Sequence, residues 1–86
     1  MEEENLVEIG RVAHFYTRIG VAVIELTASI SVGDKILIKG ANTNFEQTVE
    51  SMQIEHKEVE HAETEQSIGL KLKDRAREGD VVYKIP

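Results

Sequence analysis

The chain contains no cysteine and no tryptophan, has a single proline, and gives only 5% of its 86 positions to aromatic residues. Without thiols, neither a disulfide framework nor a thiolate metal centre can supplement the core, and a cysteine-free chain suits a reducing compartment. No segment approaches the ~20 consecutive apolar residues of a membrane-spanning helix. Met1 is followed by three glutamates, where a secretory signal would carry positive charge and then an apolar run. These absences lead to the expectation of a cytoplasmic protein with no membrane segment. Basic residues are also scarce: ten Lys and Arg stand against sixteen Asp and Glu, a formal net charge of −6. That balance argues against a nonspecific polyanion coat, whose affinity comes from many Lys and Arg contacts to phosphate.

What is present is the material of one small folded domain. Hydrophobic residues make up 41% of the chain and charged residues 30%, a globular rather than a disordered mixture. A chain of this length buries only about 60 to 65% of its unfolded surface, so one modest core is expected. Residues 1–5 read as an acidic tail and residues 6–86 as a single domain. The charge is uneven along it. Residues 1–66 carry five bases and thirteen acids, a net of −8, whereas residues 67–86 carry five bases and three acids, a net of +2.

Apolar residues recur in short alternating runs broken by Gly, Asn or Asp, the pattern of strands. Six strands are predicted: Val7 to Tyr16, Val21 to Leu26, Lys35 to Lys39, Phe45 to His56, Ser67 to Lys73 and Val81 to Ile85. The second, with Val21, Val23, Ile24 and Leu26, is expected at the centre of the sheet. In the fourth, the apolar parity changes between Val49 and Met52, which implies a bulge or bend near Glu50 or Ser51. The fifth alternates Ile68, Leu70 and Leu72 inward with Gly69, Lys71 and Lys73 outward. Lys57 to Glu65 is polar and is assigned as a connection with one short turn. Val32-Gly33-Asp34 and Glu78-Gly79-Asp80 each precede an apolar strand, and the two Gly-Asp pairs lie 46 residues apart. So short a pattern does not establish a duplication. The fold class expected is all-β: a small six-stranded, mainly antiparallel closed barrel, closure removing the exposed edges of so small a sheet.

The residues with chemical potential are scattered. His14, His56 and His61 lack the spacing of a metal-binding motif, and Ser29, Ser31, Ser51 and Ser67 lack a nucleophile elbow. Paired glutamates sit in runs that read as solvated surface. No Gly-x-x-x-x-Gly-Lys-Ser/Thr loop is present, so nucleotide hydrolysis is not expected. No catalytic, cofactor or metal residue is therefore assigned, and the chain is read as no enzyme. The one binding candidate is Lys71, Lys73, Arg75 and Arg77, in which period-two spacing places both lysines on one face and the arginines follow. The competing reading is a solvated edge paired with Asp74 and Glu78. Phe15, Tyr16, Phe45 and Tyr83 are expected in the core, and only an exposed aromatic beside the basic stretch would favour nucleic acid.

Several pieces in order resemble a known family. Ile9-Gly10-Arg11-Val12 and Gly20-Val21-Ala22-Val23 are followed by Val32-Gly33-Asp34-Lys35-Ile36 with Lys39-Gly40, then Thr48 to Gln53, Ala62 to Leu72, and Arg77-Glu78-Gly79-Asp80-Val81-Val82. Together they look like domain two of translation elongation factors, most similar to stand-alone elongation-factor-like proteins and to accessory barrels appended to some bacterial peptidases. Glu65 stands where that domain usually has glycine. The resemblance implies a non-catalytic binding module that contacts tRNA, the ribosome or a translation factor, without a cofactor and without peptidase activity. The alternative is a protein-interaction or self-assembly barrel with no RNA role.

Overall fold

The computed structural model describes residues 6–86, which form ten strands and no helix. In chain order these are β1 (Val7–Tyr16), β2 (Val21–Leu26), β3 (Ile30–Ser31), β4 (Lys35–Gly40), β5 (Thr43–Thr48), β6 (Met52–Ile54), β7 (Lys57–Val59), β8 (His61–Ala62), β9 (Ser67–Lys71) and β10 (Val81–Ile85). Eight form one antiparallel sheet in the order β5-β4-β10-β1-β2-β9-β6-β7, and β3 pairs with β8 apart from it. The curled sheet encloses a core in which Ile24, Ile36, Ile38, Ile68 and Leu70 are fully buried. Burial of each contributes about 1.5–3 kcal/mol relative to exposure. No helix of the described residues is long and apolar enough to cross a membrane.

Both Gly-Asp sequences build the same hydrogen-bonded turn. Gly33 and Gly79 have φ of 98° and 92°, a left-handed region that glycine enters without a Cβ clash. The Asp34 carboxylate accepts from the Ser31 N–H at 2.8 Å, and the Asp80 carboxylate accepts from the Arg77 N–H at 2.9 Å. In each turn the aspartate N–H donates back to the carbonyl of that same residue. Each turn also clasps one buried valine in both directions. Gly33 donates to the Val49 carbonyl while the Val49 N–H donates to Asp34, and Gly79 donates to the Val12 carbonyl while the Val12 N–H donates to Asp80. The strands launched by the two turns, β4 and β10, lie side by side in antiparallel register from Lys35 opposite Ile85 to Lys39 opposite Val81. The two halves of this ladder are thus held by equivalent devices.

Four of the expected strands coincide with β1, β2, β4 and β10 to within one residue, and β2 lies inside the sheet as expected. The alternation in β9 also holds, with Ile68, Leu70 and Leu72 buried and Lys71 and Lys73 exposed. Other expectations are corrected. The fourth strand is two strands, because Val49 to Ser51 leave the ladder where Val49 is clasped by the Asp34 turn. The connection from Lys57 holds β7 and β8, which the polar composition concealed.

The sheet is not the closed six-stranded barrel expected. No backbone ladder joins β5 to the β9-β6 end. Instead the Gln47 side chain bridges the gap: its Nε2 donates to the Lys71 carbonyl at 3.0 Å, and its Oε1 accepts from the Lys73 N–H at 2.8 Å. One amide takes the places that backbone partners would fill in a closed barrel. The expected acidic tail, residues 1–5, lies outside the described residues.

Among the described residues, three non-glycine residues adopt the left-handed region. Glu55 and His56, at φ 51° and 68°, form the two-residue turn between β6 and β7, whose flanking Ile54 and Lys57 are direct partners. Positive φ at both turn positions matches the twist of a hairpin and is usually supplied by Asn-Gly. Glu65, at φ 73°, occupies the third such position.

Two stability predictions follow from these turns. Asp80 is only 5% exposed, so Asp80→Ala is expected to lower the unfolding free energy by about 1–3 kcal/mol in urea titration. Asp80→Asn loses less, since its amide oxygen still accepts from Arg77. His56→Gly relieves the left-handed strain and is expected to raise stability by about 1 kcal/mol, read as a higher Tm.

Candidate binding face

A β-bulge sets the outer face of the sheet. Val12 is opposite Ile24 and His14 is opposite Val23, so Ala13 is the extra residue in β1. A one-residue insertion reverses which side chains face the core. Before the bulge Val12 points in; after it Phe15 packs against the core, and His14 and Tyr16 point out. Had the alternation continued unbroken, Tyr16 would have faced inward with Val12.

Cross-strand partners share a face, and two rows cross β1, β2 and β9. Tyr16 is opposite Val21, which is opposite Lys71; His14 is opposite Val23, which is opposite Gly69. Val21, Val23 and Gly69 are half-exposed, and Tyr16 is 49% exposed. The His14 and Tyr16 rings meet edge to face with centroids 4.4 Å apart and planes at 71°. His14 Nδ1 lies 2.9 Å from Glu78 Oε2, which fixes the imidazole against Tyr16. The product is a shallow apolar strip with an aromatic at one side and a cation at the other.

The four cations singled out from the sequence are all exposed, but they divide into two pairs. Lys71 and Lys73 line an open cleft of about 710 Å³ together with Lys35, Glu46, Gln47 and Glu50. Arg75 and Arg77 belong to the loop after β9 and border a hollow with Phe15 and Thr17, beside the β1-β2 turn. The Leu72 N–H donates to the Gly20 carbonyl at 2.9 Å, which ties the basic stretch to that turn and to Arg18 within it. Ile19, 59% exposed, completes the turn. The exposed Glu55, Glu63 and Glu65 lie at the other end of the sheet, where Glu65 bonds to Leu26 and Glu25 pairs with Ser67.

Of the aromatics assigned to the core, Phe15 and Phe45 pack partly against it and Tyr16 does not. The three histidines are dispersed over β1, the β6-β7 turn and β8, and no group of three or more His, Cys, Asp or Glu that could hold a metal ion occurs among the described residues. The structure does align one set that the sequence motifs missed: Ser31, His61 and Glu63 form a hydrogen-bonded chain, with distances of 2.7 and 2.6 Å. Its only sequence signal is that His61 and Glu63 are two residues apart; Ser31 comes from a distant strand.

No family model matches the chain. It is 50% identical over 78 residues to a Methanocaldococcus jannaschii protein named uncharacterized protease MJ0090, a match that covers 90% of this chain and 19% of that protein. The chain thus spans about one fifth of the length of this curated relative. Among solved structures, it resembles the C-terminal domain of a Geobacillus thermoleovorans putative U32 peptidase with a TM-score of 0.85, 22% identity and 91% of each chain covered. The selenomethionine variant of that domain superposes with a TM-score of 0.83 at 22% identity, covering 87% of this chain and 95% of that one.

These similarities correct two expectations. The resemblance to elongation-factor domain two gives way to similarity with peptidase-associated proteins. Two of the pieces that suggested the former, Val32 to Ile36 and Arg77 to Val82, hold the two Gly-Asp turns, and turn chemistry marks a backbone shape rather than a lineage. The reading of the chain as no enzyme is also overturned, since the relative that shares half of the aligned residues bears the name of a protease.

Proposed function

We propose that the chain is a binding module of a U32-peptidase-type protein, and that its outer face contacts single-stranded RNA. The observation that carries the reading is exposed Tyr16 in the same cross-strand row as Lys71. A base stacks on such a ring whatever its identity, while neighbouring cations hold the phosphates. The half-exposed Val21 and Val23 with Gly69 leave a flat floor for the strand, and the hydrogen bond from Leu72 to Gly20 ties the segment that carries Lys73, Arg75 and Arg77 to the turn that carries Arg18. Residues 67–86, which supply Lys71, Lys73, Arg75 and Arg77, carry a net charge of +2 against −6 for the whole chain. Protein docking is the second reading, favoured by Ile19, whose apolar side chain at the turn is 59% exposed.

Fluorescence anisotropy with a short single-stranded RNA at low salt tests the first reading. Tyr16→Ala is expected to weaken binding by about 1–3 kcal/mol. Lys71→Ala and Lys73→Ala are each expected to reduce the salt slope by about 0.7 if each removes one phosphate contact. Absence of binding at low salt, or equal affinity in Tyr16→Ala, overturns it. Loss of binding in Ile19→Ser to a co-purified protein, with RNA binding absent, supports the second.

A further inference from the structure

Ser31 and His61 face each other in the β3-β8 pairing. Ser31 Oγ lies 2.7 Å from His61 Nδ1, and His61 Nε2 lies 2.6 Å from Glu63 Oε2. Chemistry fixes the directions of these bonds. An ionised carboxylate only accepts, so Nε2 carries the proton given to Glu63; the neutral ring then has a bare lone pair at Nδ1, and the Ser31 hydroxyl donates to it. Hydroxyl, imidazole and carboxylate stand in series, the arrangement in which a base oriented by a third group activates a nucleophile.

We propose that Ser31 is an activated nucleophile that accepts an acyl group from small activated carboxylic esters, with His61 as its base and Glu63 as the positioning residue. Ser31 Oγ attacks the ester carbonyl carbon as its proton passes to His61 Nδ1. Collapse of the tetrahedral adduct breaks the bond to the leaving oxygen, which takes that proton from His61. The products are acyl-Ser31 and an alcohol or phenol, with no redox partner required.

The backbone around Ser31 sets the limits of this chemistry. The Ser31 N–H is held by the Asp34 carboxylate, the Val32 N–H by the Glu60 carbonyl, the Gly33 N–H by the Val49 carbonyl and the Asp34 N–H by the Ser31 carbonyl. None of these donors is directed at a developing oxyanion, and lack of one such donor costs about 10²–10³ in rate. Acylation therefore needs a good leaving group. Hydrolysis of the acyl-serine has a poorer leaving group and the same unstabilised oxyanion, so the acyl group stays in place. Ser31 is accordingly a stoichiometric self-acylation site. The side chains of His61 and Glu63 are 52% and 67% exposed, so no enclosing wall selects among acyl groups, and a small ester fits. This inference is independent of RNA binding and of the name of the relative.

The test is incubation of the full chain with p-nitrophenyl acetate, with acetylation located by peptide mass spectrometry and lysine acetylation as the reagent control. Ser31 is expected to be acetylated in the wild type and unlabelled after Ser31→Ala. His61→Gln is expected to slow labelling by about 10²-fold or more, and Glu63→Gln by less. An unlabelled wild-type Ser31 overturns the proposal. So does an unchanged Ser31 rate in His61→Gln that retains its circular dichroism; if that variant is unfolded, an unchanged rate in Glu63→Gln overturns it.

Discussion

Reciprocal hydrogen bonding between a Gly-Asp turn and a buried valine is the constraint on which this domain depends. In each turn the glycine and the aspartate together occupy both backbone groups of one valine, Val49 in one case and Val12 in the other. A buried backbone pair left without partners would cost several kcal/mol, and both valines are at most 2% exposed. The turns thereby anchor the chain on both sides of the β4-β10 ladder, at Val49 just after β5 and at Val12 in β1. The aspartate carboxylates close the turns from within, so the geometry does not rely on solvent.

Legibility in the sequence followed the physics of each segment. Where an apolar alternation was bounded by a glycine turn, as from Val21 to Leu26 or Val81 to Ile85, the strand could be read to the residue. The β6-β7 hairpin was hidden because Glu55-His56 is not a sequence that favours positive φ, and because only Val59 marks β7 as apolar. Glu65 stands where the domain that the sequence resembles has glycine, and its φ of 73° shows that the backbone keeps the glycine-like shape. Closure could not be read at all, since it turns on a single side chain, Gln47, that finds partners in a strand 24 residues away.

The candidate face was half legible for a similar reason. Lys71 and Lys73 follow from simple alternation, but the orientation of Tyr16 depends on the bulge at Ala13. Nothing in the stretch from Val12 to Tyr16 signals an extra residue; the register is set by β2, to which the stretch pairs. The bulge has a double effect, because the same slip that brings Phe15 onto the core frees the aromatic ring beside it for the surface. Core packing and the outer face are thus two outcomes of one insertion.

The seam at Gln47 has a consequence for how this molecule opens. Elsewhere in the sheet, separating two strands breaks a run of backbone bonds, whereas between β5 and the end of β9 the Gln47 side chain supplies the two bonds that span the seam. A hinge-like parting there breaks side-chain bonds in place of a ladder and wets Leu72, the buried side chain that lines the cleft. A sheet that is nearly a cylinder behaves as a cuff fastened by one button, and its weakest line coincides with the cleft bordered by Lys71 and Lys73.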